Sequence, residues 1–544
     1  MTEPVQNEKP CLVQTPQGFS VSYKNKFLYS KYSPQKAICT TVQNLNILPG
    51  TLFLCCSPVL SYGLKELIAR LDDSSFCLLC EFDSTLSEFS SSQNDFLEIE
   101  RMKKAARLSL PELQALPSIL HKPSYTTVSG AQLLPAGSFK RIVRIDFSAG
   151  VQLHAPLYDE LTRACTASIM TFWANRMTLV KFGRKYSQDF FKNLKLLPST
   201  TPISYYFGKI TKPIIVFGAG ESTDKGINEI KEQKDSFFIL CADTALQPLI
   251  ENKIYPDGVF VEEAQNIIKK AFIGTKNTKT KVFAGLSAVP NLNRIVPEKQ
   301  ISFFTTLYTK AMFLENLSKE GLLPPSNEPF GSVGLTAVYY ALKFRFSEEV
   351  PVFLYGLDFS YSKGRTHAKG TMAHKARLIM QNRLLPVANY SASFNPQVFK
   401  ITGKDGSNFY TTRTLNNYAE LFRGYFSGTK NLYDSADCGI NLGLPQKKPE
   451  VCNTTQNIDL QNKLEKSNST AAFFESEKQT LEKLRDVLSG KLPLPPEEQQ
   501  DFITKTAACR EYLYLHFADG ISFKYETSLL KRIRTDIDFF LKIF

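Results

Sequence analysis

The chain has 544 residues, 43% of them hydrophobic and 22% charged, with 65 Lys and Arg against 52 Asp and Glu for a formal net charge of +13. That composition excludes a disordered chain, and the length exceeds the roughly 250–300 residues at which a single core stops growing, so two or three packed domains are expected. The charge admits phosphorylated ligands but forms no dense basic stripe, which speaks against a nucleic-acid partner. No apolar run reaches the ~18 residues of a transmembrane segment, and the opening MTEPVQNEKP lacks the basic-then-apolar order of a signal peptide, so a cytoplasmic protein is expected. Eleven cysteines are scattered through the chain. Cys77 and Cys80 form a CxxC inside the apolar run SSFCLLCEF, where strand geometry sends the two thiols to opposite faces. With five unclustered histidines, no metal site and no tightly bound cofactor are expected; stimulation by Mg or Mn stays open.

Residues 1–155 read as an N-terminal α/β domain of nucleotide-binding type. Residues 18–32 alternate in polarity around Lys24-Asn25-Lys26 and predict a hairpin. Thr51–Cys56 is a buried strand, Leu60–Leu71 an amphipathic helix and Phe76–Cys80 a second strand ending on Glu81 and Asp83. The loop Ser57–Tyr62 between them lacks the glycines that admit a phosphate, so this domain is expected to hold no ligand. A helix follows near Glu98–Leu110 and an extended stretch at Arg141–Phe147. Helical spacing from Leu157 to Leu197 predicts a long connector within residues 156–204, with Trp173 as core; Pro198 and Pro202 end it.

Residues 205–445 hold the densest signals. Ile214–Phe217 is too short for a helix and runs into Gly218-Ala-Gly220, the pattern of a buried strand entering a tight turn. Ser222, Thr223 and Asp224 are placed to cap the helix that restarts there, and Ile227 and Ile230 give it an inward stripe. A second strand, Phe237–Cys241, ends on Asp243-Thr244. This is a βαβ unit with polar residues at the carboxyl ends of its strands, where open α/β sheets bind ligands. Gly218, Gly220 and Ser222 form an expected anion seat, in which free backbone N–H groups meet no Cβ. The third glycine of a dinucleotide fingerprint is replaced by Thr223, and a Walker lysine is absent, which argues against NAD and ATP.

Strands are further predicted at Val282–Leu286, Ser302–Thr305 and Pro351–Tyr355, and helices near Lys310–Leu317 and Leu335–Phe344. Ser332, in Gly331-Ser-Val-Gly334, opens the latter helix and supplies a second anion seat. The last strand gives way to GLDFSYSKGRTHAKGT at 356–371. So many polar side chains directly off a buried strand, Asp358, Ser360, Tyr361, Lys363, Arg365 and His367 among them, point to a ligand cleft. After Pro445–Pro449 a helical domain, 446–544, is expected, with helices at Ala471–Leu488, Glu497–His516 and Ser528–Phe544. The last carries basic residues at 531–534 and reads as packing on its own domain.

Taken in order, these stretches resemble the motility-associated factor family, bacterial glycosyltransferases that modify flagellin. The resemblance rests on Asn175–Gly183, the GAGES of 218–222, the DTAL of 243–246, Tyr255-Pro-Asp257, the GSV of 331–333, GLDFSY at 356–361 and RTHAKGT at 365–371. Gly403–Gly406, Tyr410–Arg413 and Tyr433–Leu442 complete it. It implies a core of the DUF115, 6-hydroxymethylpterin pyrophosphokinase-like type, Rossmann-like and related in fold to sialyltransferases, with α/β and helical flanking domains. It further implies a CMP-activated nonulosonic acid donor, pseudaminic or legionaminic, and transfer to Ser or Thr of flagellin before export, in support of flagellar assembly and motility. The chain departs from the family at Glu221-Ser222-Thr223, where relatives have Pro-Ser-Leu, and at Glu263-Ala-Gln265, where an acidic residue precedes Pro-Gln. Glu221 sets a carboxylate beside the first anion seat.

On this reading His367 is the expected catalytic base, with an ordinary pKa near ~6.5 suited to proton transfer, and Asp358 the second catalytic residue. Asp243, Thr244, Gln265 and Ser360 are expected to bind the donor with Gly218, Gly220, Ser222 and Ser332, while Lys363 and Arg365 neutralise its phosphate or carboxylate. Two alternatives are a pterin diphosphokinase-like transferase and a non-enzymatic flagellar assembly factor.

Overall fold

The computed structural model describes residues 9–93, 98–99, 102–120, 122, 125–451 and 470–544. Residues 1–8, read above for a leader, lie outside the described residues. The chain divides into two compact units, Met1–Leu179 and Val180–Phe544.

The first unit is built on a four-stranded parallel sheet whose order is Ala105–Arg107, Phe76–Cys80, Thr51–Cys56, Arg141–Asp146. Its two inner strands are buried throughout because helices cover both faces of a parallel sheet. Cys77 joins the core on one face with Phe53 and Ile68, and Cys80 the core on the other with Leu54 and Tyr158, as their spacing predicts. In the hairpin Gly18–Tyr23 pairs antiparallel with Lys26–Phe27 through Lys24 and Asn25, both left-handed at φ 47° and 60°. Cys11–Thr15, half-exposed and unannounced by its polarity, adds a third strand. The helix expected at Glu98–Leu110 is corrected in its extent. Residues 98–99 are helical, but Ala105–Arg107 pairs with the sheet edge, and a separate helix begins at Leu110, where the Glu112 carboxylate accepts from the Ser109 N–H at 2.8 Å. Strand pairing there overrides local helix propensity. Glu81 accepts from Ser57 Oγ, Asp83 N and Tyr158 Oη at 2.7–3.0 Å, so the polar strand end in this unit is internally satisfied.

One continuous helix, Ala155–Leu196, covers the stretch read as helical up to its last residue, Leu197, which opens a 3-10 turn. Within the first unit Trp173 Nε1 donates to the Phe139 carbonyl at 2.6 Å and its ring packs on the core.

The second unit holds an eight-stranded, wholly parallel sheet, whose strands are numbered here from its first: β1 Ile214–Phe217, β2 Phe238–Ala242, β3 Gly258–Val261, β4 Lys281–Gly285, β5 Ile301–Thr306, β6 Ser326–Asn327, β7 Val352–Tyr355 and β8 Leu432–Asp434. Their spatial order is β6-β5-β4-β3-β2-β1-β7-β8. Helices α1 Ser222–Ile230, α2 Asp243–Glu251, α3 Met312–Lys319, α4 Val333–Phe344, α5 Met372–Met380 and α6 Arg413–Phe426 lie along the connections, and α4 packs across β1, β2 and β3. The class is α/β, Rossmann-like. β3, β6, β8 and a hairpin of Val398–Thr402 with Asn408–Thr412 are additions to the elements read from the sequence.

Helices α7 Ala471–Leu488, α8 Pro496–Ala508 and α9 Thr527–Leu541 close the chain. They share a core with the central part of the unit: Phe191 meets Phe313, Tyr512, Phe540 and Phe544, and the Glu511 carboxylate caps α3 through Met312 N at 2.7 Å. The basic helix buries Ile533, Ile537 and Phe540 against α7, as its pattern predicts.

Candidate functional site

β1 has β2 on one side and β7 on the other, so the chain leaves β1 in one direction and later returns on its opposite flank. Ligands of open α/β sheets bind at such a reversal, beyond the carboxyl ends of the strands. A cavity of about 550 Å³ lies there, walled by the loops 218–220, 242–244, 331–334 and 356–361. Thr366, His367, Asn389, Leu415 and Tyr418 complete it. Of the residues expected from sequence, Gly218, Gly220, Asp243, Thr244, Ser332, Ser360 and His367 line this cavity. Lys363 and Arg365 line a smaller neighbouring pocket. Ser222, Asp358 and Gln265 line neither. Gln265 opens a short 3-10 helix with its N–H bonded to Glu263 Oε1 at 2.8 Å.

The first expected anion seat is already filled. Ser222 N and Oγ donate to the two carboxylate oxygens of Asp358 at 2.9 and 2.5 Å, Gly356 N donates to Ser222 Oγ at 2.7 Å, and Gly220 N donates to the Gly356 carbonyl at 2.9 Å. The helix cap therefore comes from Asp358, 136 residues away, and replaces the local cap expected from Ser222, Thr223 or Asp224. Asp358 itself is 2% exposed and acts as a clamp between the loops after β1 and β7, which corrects its expected catalytic part. Burial pushes its pKa up to about 6, opposed by the Ser222 bonds and by the charge of Lys404. The glycines serve that crossing of loops. A Cβ on Gly218 would stand 2.2 Å from the Gly356 carbonyl oxygen, and one on Gly220 2.4 Å from Asp358 Oδ2.

The clamp is held from below. Lys404, buried, pairs with buried Asp434 and donates its N–H to the Gly439 carbonyl at 3.1 Å, while Ile440 N donates to the Asp358 carbonyl at 2.9 Å. Gly439 lies so close that a Cβ there would be 2.8 Å from that of Asp358. Glu221, which the sequence sets beside the anion seat, turns away from the cavity: its carboxylate accepts from Ser362 N and from Ser362 Oγ at 2.8 Å. Asp224 binds Arg365 and accepts from Lys369 N at 3.1 Å. These two acids tie the 362–369 loop to the start of α1, an end of the helix that favours negative charge.

What stays open is the start of α4. Ser332 precedes it in extended conformation, its side chain caps nothing, and Gly331–Gly334 lines the cavity, so a helix start, the end that favours an anion, borders it. Opposite chemistry is supplied by Asp243. Its Oδ1 accepts from Thr244 Oγ1 at 2.9 Å, while its buried Oδ2 has no partner. Burial, reinforced by the nearby charges of Glu263 and Glu262, pushes its pKa up to about 7. His367 shares a 3.0 Å contact between Nδ1 and Thr366 Oγ1, and burial lowers its pKa, leaving a neutral imidazole at pH 7. Tyr418, from α6, and Asn389 escaped the sequence reading, because neither sits in a local pattern that announces a cleft. Among the described residues no group of three or more His, Cys, Asp or Glu is placed to share a metal ion, and no helix is long and apolar enough to cross a membrane.

The raised pKa of Asp243 carries a sign. Its ionisation is disfavoured by folding, so the stability it contributes is full below about pH 4 and is lost as pH rises to about 7. Asp243→Asn, which keeps the Thr244 contact without the charge, should gain stability relative to the unchanged protein across that window, by roughly 4 kcal/mol at most, and level off above it. Urea midpoints at half-unit pH steps measure this. A difference that stays flat from pH 4 to 8 would show that Asp243 ionises freely.

Residues 188–364 match the family model described as 6-hydroxymethylpterin diphosphokinase MptE-like. An uncharacterized protein of Treponema pallidum (strain Nichols) is 32% identical over 565 aligned residues, covering 98% of this chain and 95% of its own. The solved structure of a MAf glycosyltransferase from Magnetospirillum magneticum AMB-1 superposes with a TM-score of 0.50 at 12% identity, over 99% of this chain and 91% of that one. Residues 188–364 thus form an MptE-like core, and the chain as a whole has the fold of that glycosyltransferase. It belongs to one family with the treponemal protein, which it matches over nearly its full length.

Proposed function

We propose that this protein is a glycosyltransferase that moves a nonulosonic acid of the pseudaminic or legionaminic type from a CMP-activated donor to Ser or Thr hydroxyls of flagellin in the cytoplasm, in support of flagellar assembly and motility. One observation carries the reading: the loops after β1, β2 and β7 and the uncapped start of α4 converge on a single cavity of about 550 Å³ at the switch point of the sheet. The likeness in fold to a glycosyltransferase supports it.

The chemistry asks little covalent help of the protein. The phosphate departs with growing negative charge while the sugar passes through an oxocarbenium-like state, so fixed donors for the leaving group and one base for the acceptor hydroxyl suffice. The α4 start at Ser332–Gly334 takes the phosphate, a role the sequence had shared with the now-filled 218–222 loop. Gly218 and Gly220 form the floor, Asp243, Thr244 and Ser360 bind donor hydroxyls, and neutral His367 takes the acceptor's proton. Incubating the purified protein with flagellin and a CMP-nonulosonate, then weighing intact flagellin, should add whole sugar units. Flagellin that stays at its polypeptide mass with every CMP-nonulosonate supplied would reject the reading.

The match to a diphosphokinase-like model favours a second reading, transfer of diphosphate from ATP to a pterin. Such chemistry uses clustered carboxylates to hold Mg²⁺ on the phosphates, whereas Asp243 is the one carboxylate among the described residues lining the cavity. Calorimetry with ATP against CMP separates the two.

A further inference from the structure

The cavity assigned to the donor is lined by no Lys or Arg. Directly beside it, sharing the wall of Thr366, His367 and Asn389, lies a second pocket of about 260 Å³ with the opposite character. Lys363, Arg365, Lys369, His374 and Arg377 line it, and no Asp or Glu does. Arg365 is answered by Asp224. Among the described residues no carboxylate lies within ion-pair distance of Lys363, Lys369 or Arg377. Arg377 instead spends its Nε and Nη2 on the carbonyls of Val387, Ala388 and Pro386 at 2.8, 3.0 and 3.2 Å. Gly364 N donates to Ser393 Oγ at 3.1 Å, and the Lys363 ammonium lies 5.2 Å from the centre of the Phe394 ring. The pocket is therefore built, with its far wall pinned by Arg377; Arg365 is paired with Asp224 and lies 3.9 Å from Glu221, while Lys363, Lys369 and Arg377 are left without an internal counterion among the described residues.

A nonulosonate donor carries two anionic groups on one carbon: the phosphate oxygen that leaves and a carboxylate that stays. A helix start can receive one of them, but a second anion brought into the same cation-free cavity would lose its hydration without a partner. At about 260 Å³ the neighbouring pocket falls below the ~300–1,000 Å³ of sites that enclose a whole ligand, a size suited to a substituent. We infer that this cationic pocket is the seat of the donor sugar's carboxylate, reached past His367, and that it selects acidic sugars over neutral ones. The inference rests on the donor reading given above and deepens it.

Calorimetry on the full chain tests it with two probes, CMP and CMP-N-acetylneuraminate, which share the nucleotide phosphate and differ in the carboxylate-bearing sugar. Arg377 is left in place because it holds the 386–388 segment. The variants are Lys363→Ala/Lys369→Ala, both exposed positions, and Lys276→Ala, an exposed lysine elsewhere, as a control for bulk charge. The unchanged protein should bind the CMP-sugar more tightly than CMP. The double variant should lose roughly tenfold or more for the CMP-sugar, hold CMP affinity within about twofold, and behave unlike Lys276→Ala, which should alter neither. Equal weakening toward both probes would place the phosphate in this pocket and overturn the assignment, as would unchanged binding of both. A protein that binds CMP but shows no preference for the CMP-sugar overturns the carboxylate seat and leaves the donor reading standing; one that binds neither probe overturns both.

Discussion

Lys404→Met should destabilise the second unit by about 3–5 kcal/mol, the usual result of stranding a buried carboxylate by removing its only cation. Lys404 and Asp434 are each buried, at 5% and 4% side-chain exposure, and burial already raises the pKa of Asp434 against the pull of the lysine. Asp434 cannot escape to water, because its other oxygen accepts from Ala436 N at 3.1 Å. The same lysine lowers the penalty on Asp358, so its loss strands Asp434 and leaves Asp358 with only its Ser222 bonds to oppose burial, beneath the loops that shape the cavity. Urea unfolding at pH 7 measures the change. Lys404→Met/Asp434→Leu should recover much of the loss, since an apolar pair of similar volume can replace a buried ion pair at little net penalty. A single variant within 1 kcal/mol of the unchanged protein would mean that the pair is hydrated.

His367→Ala should lower the rate of sugar transfer by on the order of 10²–10⁴, the range a general base contributes, while CMP binding stays near normal. The pH profile decides whether the base is His367 or Asp243, both of which line the cavity. A base whose pKa is lowered from 6.5 by burial puts the acid limb of kcat/KM below pH 6.5; Asp243, held at about 7, would put it near neutrality. His367→Ala therefore should abolish the lower limb, and Asp243→Asn should leave it in place. Full transfer by His367→Ala under limiting enzyme would remove this residue from the chemistry and leave Asp243 as the base.

Five strands of the central sheet were legible in the chain to within a residue or so because they are short and apolar: Ile214–Phe217 matches without change, and the strand expected at Pro351–Tyr355 begins at Val352, whereas Gly258–Val261 was missed although it is just as apolar. A parallel strand buried on both faces must be apolar at every position, and four such residues are too few to be confused with a helix. The polar clusters at the strand ends were legible for the same reason, since Asp243 and His367 stand out against apolar surroundings. Ser326–Asn327 and Leu432–Asp434 were missed because two or three residues at a sheet edge carry no period of their own.

Composition and local pattern thus settled the α/β class, the placement of most central strands and the stretches from which a site could be built. Only the tertiary structure decided which of those residues face the cavity. Gly-Ala-Gly before a helix looks the same whether its N–H groups await a phosphate or, as here, Gly218 and Gly220 donate to the carbonyls of Tyr355 and Gly356 while Asp358, 136 residues beyond Ser222, caps the helix. Glu221, alarming in sequence, is harmless in space because Ser362 receives it. Burial, which turns Asp243 into a group that titrates near neutrality, is a property of everything packed around a residue, and no window of neighbouring letters contains it.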